Sequence, residues 1–294
     1  MWVSDRVTGR EIAWLSNAVD LHVHTAPATI DRAQLDLDFG REAIEEGMAT
    51  AVIKSHAVPT MSRVQSVNRA IGSSILKGGI TLNGPVGGLN VDAVEVALAL
   101  EAAIVWLPTL WAENHASRLR EAGDTKFVGL RVPRADEMLR VSYGRRVTES
   151  VRAIIDLAAR YNAVVATGHI SPEEIDAVVR ACGDAGVTVL VNHPFFHVTD
   201  LSIDHQLELA EQGAIMEYCA YAIEETRDHS VDQVVDAIDR IGPERCVLAS
   251  DYGQQGNPAV PGLASFAEAV HAAGLPQDAV RCCLSNTPAR VLDG

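Results

Sequence analysis

Short apolar runs alternate with longer amphipathic segments along most of the chain, and this alternation limits the fold more than any other feature. The runs are rich in β-branched residues, and eight of them recur at similar intervals, except between the fourth and the fifth. Such a pattern is typical of parallel strands joined by crossover helices. We therefore predict strands at 18–24, 49–55, 79–83, 102–108, 163–169, 187–193, 214–220 and 246–251.

The segments between the predicted strands carry the signals of helices. The stretch Ser171-Pro172-Glu173-Glu174 is a capping box with proline in the first turn, and Ser230 with Gln233 resembles a second box. Apolar residues recur at helical spacing in two of the segments. These two stripes consist of Val151, Ile154, Ile155 and Ala158, and of Val231, Val234, Val235 and Ile238.

Eight parallel strands with helices between them predict an α/β protein of the (β/α)₈ TIM-barrel class, built as one domain over residues 1–294. Roughly sixty residues lie between the starts of the fourth and fifth strands, which is enough for an inserted segment in addition to the connecting helix. We expect an insert at 111–146 that could act as a lid and that contains a ninth apolar run at 126–132. A doubly wound open sheet is the alternative fold.

The charge balance narrows the choice of partners. The formal charge is −15, from 24 Lys and Arg against 39 Asp and Glu, and such a surface repels phosphate backbones and anionic lipids. The most apolar window, 91–111, is interrupted by acidic residues and proline, no secretory signal opens the chain, and the five cysteines form no CxxC pair. We expect a cytoplasmic protein with reduced thiols that binds a small molecule, and neither nucleic acid nor membrane. A homo-oligomer is left open.

Half of the ten histidines stand where predicted strands end, which is the catalytic face of a barrel. His22 and His24 are two residues apart on one strand, so both imidazoles face the same side and could bind one divalent cation. Each histidine alone is as well explained by capping of backbone groups at a strand end. The conjunction of these residues favours a metal site. Its members are His22, His24, His169, His193 and Asp251.

These residues carry a resemblance to a known group. The order DLHVH, His169, His193 and Asp251, followed by NTPARVL at 286–292, is similar to that of the amidohydrolase superfamily of metal-dependent hydrolases. The sequence also resembles a smaller subgroup with Lys-Ser-His at the end of strand two. The resemblance implies that the HxH pair and Asp251 bind a metal and that Asp251 moves the proton of the attacking water. It further implies that His169 and His193 bind a second metal or assist catalysis.

One departure from the superfamily concerns the metal count. Many binuclear members place a carboxylated lysine or a glutamate on strand four, and the sequence AAIVWLPTLW has neither at its end. A carboxylated Lys54 from strand two could fill that role as a metal ligand. An uncarboxylated Lys54 could instead hold a substrate carboxylate. His56 lies two residues beyond Lys54 and is expected to line the pocket.

The sequence therefore predicts a metal-dependent hydrolase that activates water for attack on an amide, lactam, lactone or ester carbon. Zn²⁺ is the expected cofactor, with Mn²⁺ or Fe²⁺ as alternatives, and one or two ions are expected. Asp251 and His193 are the predicted catalytic residues, with His193 or Lys54 holding the oxyanion. The alternatives are a metal-dependent decarboxylase or hydratase of a small acid, and a non-catalytic metal-binding barrel.

A small carboxylate is the expected substrate. Eight basic residues gather in the insert, where a guanidinium could bind a carboxylate through two hydrogen bonds. The other interpretation is that they pair with the acidic surface of the protein itself. His56, Arg131 and Glu217, an inward candidate on strand seven, are the predicted substrate-binding residues. The basic residues of the insert are Arg118, Arg120, Lys126, Arg131, Arg134, Arg140, Arg145 and Arg146.

Overall fold

Eight strands lie side by side and parallel in the structure, a computed structural model that describes residues 14–226 and 229–293. Their order in the sheet follows their order in the chain, which is the arrangement of a (β/α)₈ barrel. This confirms the predicted fold class. The barrel strands are β1 Val19–Val23, β2 Thr50–Ile53, β3 Leu76–Thr81, β4 Ala102–Trp106, β9 Val164–Ala166, β10 Val189–Asn192, β11 Ile215–Cys219 and β12 Cys246–Ala249.

The barrel closes between the first strand and the segment that follows the last one. The His24 N–H donates to the Tyr252 carbonyl and the Asp251 N–H donates to the His22 carbonyl, both at 2.8 Å. Lower in the barrel, the buried Asp20 carboxylate accepts the Ser250 N–H at 3.2 Å. Closure thus brings the HxH sequence of β1 beside Asp251.

Helices cover the outside of the barrel. The predicted capping boxes at Ser171 and Ser230 are both present, with the side chain and backbone hydrogen bonds of each formed. No helix of the described residues is long and apolar enough to cross a membrane. The helices are α1 Asp36–Glu45, α2 Met61–Ile71, α3 Val91–Ala99, α4 Glu113–Glu121, α5 Glu149–Tyr161, α6 Pro172–Ala185, α7 Ile203–Glu211, α8 Ala220–Thr226, α9 Val231–Ile241, α10 Ala259–Ala272, α11 Gln277–Arg281 and α12 Thr287–Asp293, with a π-helical turn at Cys282–Asn286 between the last two.

Inward side chains change from apolar to polar along several strands. One buried apolar cluster includes residues such as Val52, Leu190, Ile215 and Val247. Two residues further on in β2, β10 and β11, the same face of the strand carries a polar group, because strand side chains alternate with a period of two. In the last unit the polar group comes two residues after the end of β12. These polar residues are Lys54, Asn192, Glu217 and Asp251, and all of them are buried. An apolar floor therefore lies below a polar site.

The third barrel strand begins at Leu76, earlier than the predicted 79–83. The early start was not predicted, because Lys77, Gly78 and Gly79 are not typical strand residues. A side chain at Gly79 would place Cβ 2.4 Å from the Ile104 carbonyl oxygen, and one at Gly78 would place it 2.6 Å from the Met61 nitrogen. The glycines allow close packing of the neighbouring strand and helix, a tertiary constraint that strand propensity does not reveal.

The insert contains α4 and two short hairpins. The apolar run at 126–132 forms the hairpin β5 Lys126–Phe127 and β6 Leu130–Arg131, which turns at Val128 and Gly129. Both turn residues have positive φ, of 45° and 75°, which ends the extended run. The second hairpin is β7 Ser142–Tyr143 and β8 Arg146–Val147.

Gly168, which precedes His169, provides a test of this packing. At φ +62°, an added Cβ would lie 2.4 Å from the Leu107 carbonyl oxygen. We expect Gly168→Ala to lower the free energy of unfolding by about 3 kcal/mol or more, through the clash and the left-handed backbone together. Gly144→Ala is the matched control, with φ +55° and open space around the added Cβ, and about 1 kcal/mol is expected for it. Equal losses in urea titrations of the two variants would contradict this account.

Candidate active site

Three ligand-type atoms converge at the carboxyl end of the barrel. His22 Nε2 and His24 Nε2 each lie 3.0 Å from Asp251 Oδ1. Both imidazoles are buried, and the Asp251 side chain retains 13% exposure. The structure thus brings together the HxH pair and the aspartate, and it leaves the aspartate on the side of the cluster that faces solvent.

The backbone holds Asp251 and His193 in an unusual conformation. Asp251 has φ 51° and His193 has φ 29°, both in the left-handed region that few non-glycine residues adopt. Such backbone strain is concentrated at functional sites, because the surrounding structure must hold it. Both residues follow the last residue of a barrel strand by one or two positions.

The other ring nitrogens of the HxH pair are already occupied. His22 Nδ1 lies 3.0 Å from Glu217 Oε2, and His24 Nδ1 lies 3.1 Å from the Lys54 carbonyl oxygen. Glu217 Oε2 also accepts a hydrogen bond from Asn192 Nδ2 at 2.6 Å. Partners of this kind fix the tautomer and the orientation of metal-binding histidines. The predicted Glu217 therefore points inward, but its contacts are with His22 and Asn192.

Lys54 occupies the centre of the cluster. Its Nζ lies 2.9 Å from His22 Nε2 and 5.6 Å from the centroid of the Trp106 ring, and the residue is 2% exposed. Burial lowers the pKa of Lys54, against the opposing effect of the Asp251 and Glu217 charges. Lys54 is thus at the site where the HxH pair meets Asp251.

His169 and His193 form a second group beside the first. Their ring centroids are 4.9 Å apart, and His193 lies 6.0 Å from His22 by the same measure. His169 Nδ1 is hydrogen-bonded to His115 Nδ1 at 2.6 Å. His193 Nδ1 is buried and has no hydrogen-bond partner among the described residues.

His56 lies against the HxH pair. It stacks on His24 with a centroid distance of 5.1 Å, and its Nδ1 is 2.9 Å from Thr109 Oγ1. Asn83 donates hydrogen bonds to Thr109 Oγ1 at 2.7 Å and to the His56 carbonyl at 3.0 Å. This buried amide holds together the loops after β2, β3 and β4, and so positions His56.

The charges of the site follow from burial and from two carboxylates. Burial lowers the pKa of His24 to about 3 and that of His193 to about 4, so both imidazoles are neutral. Burial also lowers the pKa of His22, but the charges of Asp251 and Glu217 outweigh it and raise that pKa to about 9. Burial acts to raise the pKa of Asp251, yet the contacts with His22 and His24 hold it well below the usual range.

Arg131 is not part of this cluster. It lies on the exposed β5–β6 hairpin, where its guanidinium donates two hydrogen bonds to the Glu137 carboxylate, at 2.5 and 2.7 Å. Arg134 and Arg140 of the insert likewise pair with acidic neighbours. Binding of a substrate by Arg131 therefore requires that the ion pair with Glu137 opens.

Three residues of the site were missed by sequence reasoning. His115 comes from α4 of the insert, Asn192 precedes the predicted His193, and Arg32 lies in the loop after β1. Asn192 could have been found, because it immediately precedes His193 near the end of the strand predicted at 187–193. His115 and Arg32 carry no local signal, since they depend on how a helix and a loop fold back over the barrel.

The cluster of His22, His24 and Asp251 fits a divalent cation, whose binding would displace the proton that His22 holds at neutral pH. Two imidazole nitrogens and a carboxylate oxygen are ligands that Zn²⁺ prefers, at about 2.0 to 2.2 Å from the ion. Tetrahedral ligand atoms at that range are about 3.4 Å apart, so the observed 3.0 Å needs only a small outward shift. Another set of potential metal ligands consists of His22, Glu217 and Cys219. It fits a cation less well, since burial raises the pKa of the Cys219 thiol well above its usual value and a thiol must lose its proton to bind a metal.

A family model covers most of the site. Residues 17–217 match DUF6282, a family of unknown function. The chain belongs to this family. The matched range includes His22, His24, Lys54, His169 and His193, and it ends at Glu217. Proteins with curated descriptions gave no match.

Several solved structures of enzymes are similar to this member of the DUF6282 family. An amidohydrolase from Pseudomonas aeruginosa is 12% identical with TM-score 0.61, covering 96% of this chain and 97% of its own. A dipeptidase described as a metallopeptidase is 15% identical with TM-score 0.61, covering 95% and 98%. A 2,6-dihydroxybenzoate decarboxylase from Rhizobium is 11% identical with TM-score 0.54, covering 95% and 100%. At these identities the likeness shows that the chain shares the fold of these enzymes.

The His115–His169 hydrogen bond generates a prediction. His115→Ala leaves the buried Nδ1 of His169 without a partner, so we expect the free energy of unfolding to fall by about 2 to 4 kcal/mol. His115→Asn should recover part of this loss, because an amide can replace the imidazole Nδ1 as a partner. Urea titrations measure the losses, and ¹⁵N NMR of the His169 ring shows whether its tautomer changes. The same His169 ring spectrum in all three proteins would contradict the assignment.

Proposed function

We propose that this protein is a divalent-metal-dependent hydrolase of small molecules, with His22, His24 and Asp251 as the primary metal ligands. The observation that carries the proposal is the convergence of His22 Nε2 and His24 Nε2 on one oxygen of Asp251. The fold of known amidohydrolases and of a metallopeptidase supports it. Zn²⁺ is the proposed ion, and His169, His193 and Lys54 are the proposed ligands of a second one.

When bound, a divalent cation lowers the pKa of water toward 7 and polarises a carbonyl group. Asp251 acts as the general base in this proposal, because its carboxylate is ionised and its side chain reaches solvent. It accepts a proton from the attacking water and passes it to the leaving group. His22 and His24 hold the carboxylate in place for both transfers.

His193 is proposed to stabilise the negative charge that develops on the substrate oxygen. Its Nδ1 is buried and has no hydrogen-bond partner among the described residues, so the tautomer with the hydrogen on Nδ1 would have a donor for this oxygen. Lys54 is the alternative donor, or a metal ligand if it is carboxylated. The buried Nζ against His22 supports a role for Lys54 at the reaction centre.

The proposal also assigns roles to residues around the metal ligands. His56, stacked on His24, is proposed to line the substrate pocket, and the chain is proposed to act as one domain over residues 1–294. The insert at 111–146 is the proposed lid, because its His115 and Phe127 rings contact the histidines of the site. A cytoplasmic location, the absence of nucleic-acid and membrane partners, and assembly as a homo-oligomer stay predictions.

A decarboxylase of a small acid is the second candidate. The fold is shared with a 2,6-dihydroxybenzoate decarboxylase, and the Lys54 amine at the site centre offers hydrogen-bond donors to a carboxylate substrate. Product analysis separates the two activities, because decarboxylation releases carbon dioxide and hydrolysis consumes water.

Metal content tests the proposed ligands. We expect purified protein to hold about one or two divalent ions per chain, and His24→Asn to lower the affinity for Zn²⁺ at least tenfold, since the shorter side chain does not reach the cation. Elemental mass spectrometry after dialysis against a chelator and reloading with Zn²⁺ or Mn²⁺ measures both. His205→Asn is the control, because His205 pairs with Asp176 on the helical surface. Folded protein that binds no ion would end the proposal.

Asp251→Asn tests the proton transfer. Asparagine tolerates φ 51°, so we expect the fold and much of the metal content to persist while kcat falls by about 10² to 10⁴. The rate is measured on the best substrate from a panel of amides, lactams, lactones and esters. Asp200→Asn is a matched control, because exposed Asp200 also has positive φ, at 44°. Turnover near the wild-type rate in Asp251→Asn would exclude the assigned role.

A further inference from the structure

The loop between β1 and α1 places an arginine beside the aspartate of the site. Arg32 forms an antiparallel backbone bridge with Gln254, and the adjacent Ala33 N–H donates to the Gly253 carbonyl at 2.9 Å. Gln254 Nε2 in turn donates to the Asp251 carbonyl at 3.1 Å. The backbone of Arg32 is therefore fixed against the segment that follows Asp251.

The Arg32 side chain has an unused hydrogen-bond donor. The residue is half-buried, and its Nε is buried without a hydrogen-bond partner among the described residues. A buried N–H without an acceptor costs free energy, and more so on a charged group. Arg32 thus has a donor that lacks an acceptor within the described part of the chain.

The Arg32 charge acts on the reaction centre. Burial lowers the pKa of the Arg32 guanidinium, and the negative charge of Asp251 opposes that change. The Arg32 charge also contributes to the lowered pKa of His24 and of His56, for which burial is the larger cause. The Arg32 charge likewise contributes to the lowered pKa of Lys54, so it interacts with four residues of the site, namely Asp251, His24, His56 and Lys54.

Other arginines near the barrel mouth have acidic partners within the chain. Arg63, in the helix next to the Arg32 loop, has its Nε 3.0 Å from a carboxylate. Arg131 and Arg140 of the insert are paired in the same way. Their partners are Asp36, Glu137 and Glu113 respectively.

We propose that Arg32 binds a carboxylate group of the substrate, so that the substrate is a small organic anion. The proposal rests on the proposed function, since it places this carboxylate at the mouth of the same site. A guanidinium offers two parallel N–H donors that match the two oxygens of a carboxylate. Arg32 also offsets the repulsion between ionised Asp251 and an incoming anion, on a chain whose net charge is −15.

Fluorine NMR titrations test the assignment on the full chain, both loaded with Zn²⁺ and treated with chelator. The probes are para-fluorobenzoate and trifluoroacetate, each compared with its primary amide. We expect the wild type to bind at least one carboxylate at least tenfold more tightly than its amide, and Arg32→Gln to lose this preference. Arg32→Lys should retain part of it, because the charge remains and the forked donor pair is lost.

Arg240→Gln is the control for loss of one positive charge, since exposed Arg240 pairs with Asp204 on the surface. Metal content is measured on the same samples. If Arg32→Gln keeps the preference for carboxylates, or if the wild type has none, the assignment of Arg32 is overturned even when metal binds. If carboxylates bind through Arg32 but no metal is retained, the anion site stands and the proposed hydrolase fails.

Discussion

The contact of one carboxylate with two imidazoles joins the first strand of the barrel to the last. Asp251 Oδ1 meets His22 Nε2 and His24 Nε2, while the Asp251 N–H closes the barrel on the His22 carbonyl. The same few residues therefore complete the fold and form the candidate site. Because a removed partner would leave a buried charge uncompensated, the contact couples site chemistry to stability.

Buried charge around this contact is balanced by neighbours from different strands. Glu217 contacts one ring nitrogen of His22 and Lys54 contacts the other, and both residues are almost fully buried. Isolated ions are costly to bury, so such groups persist only where hydrogen bonds and opposite charges surround them. Asn192, which bonds both Glu217 and the Gly168 N–H, provides part of that environment. The polar end of the barrel is thus one connected network.

The sequence allowed prediction of the barrel and of much of the site, because both depend on local periodicity. The alternation of strand side chains placed His22 and His24 on one face, and the ends of predicted strands located Lys54, His169 and Asp251. Other features depend on contacts between distant segments. The start of β3 was not predicted, because it contains glycines that permit close packing of neighbouring elements. The run at 126–132 forms a hairpin because two of its residues adopt positive φ.

Arg32 and His115 show the same limit within the site. Neither belongs to a motif: His115 contacts His169 from an inserted helix, and the Arg32 backbone pairs with Gln254 in the segment after Asp251. Arg131 was predicted from the density of positive charge, but a nearby glutamate binds it. Charge density alone does not distinguish a free guanidinium from one that is already paired.

The hydrogen bond from α4 to His169 has a consequence for how such a barrel can diversify. In many barrels the loops at the mouth can be exchanged while the strand-end chemistry stays intact, since the two are separate layers. Here the excursion after β4 contributes His115 to the histidine group. Replacing the segment between β4 and β9 with a shorter or foreign loop would remove the hydrogen-bond partner of the His169 ring together with the segment that covers the site. Sequence variation in this segment is therefore limited by its contact with the histidines of the site as well as by the shape of the substrate that the site admits.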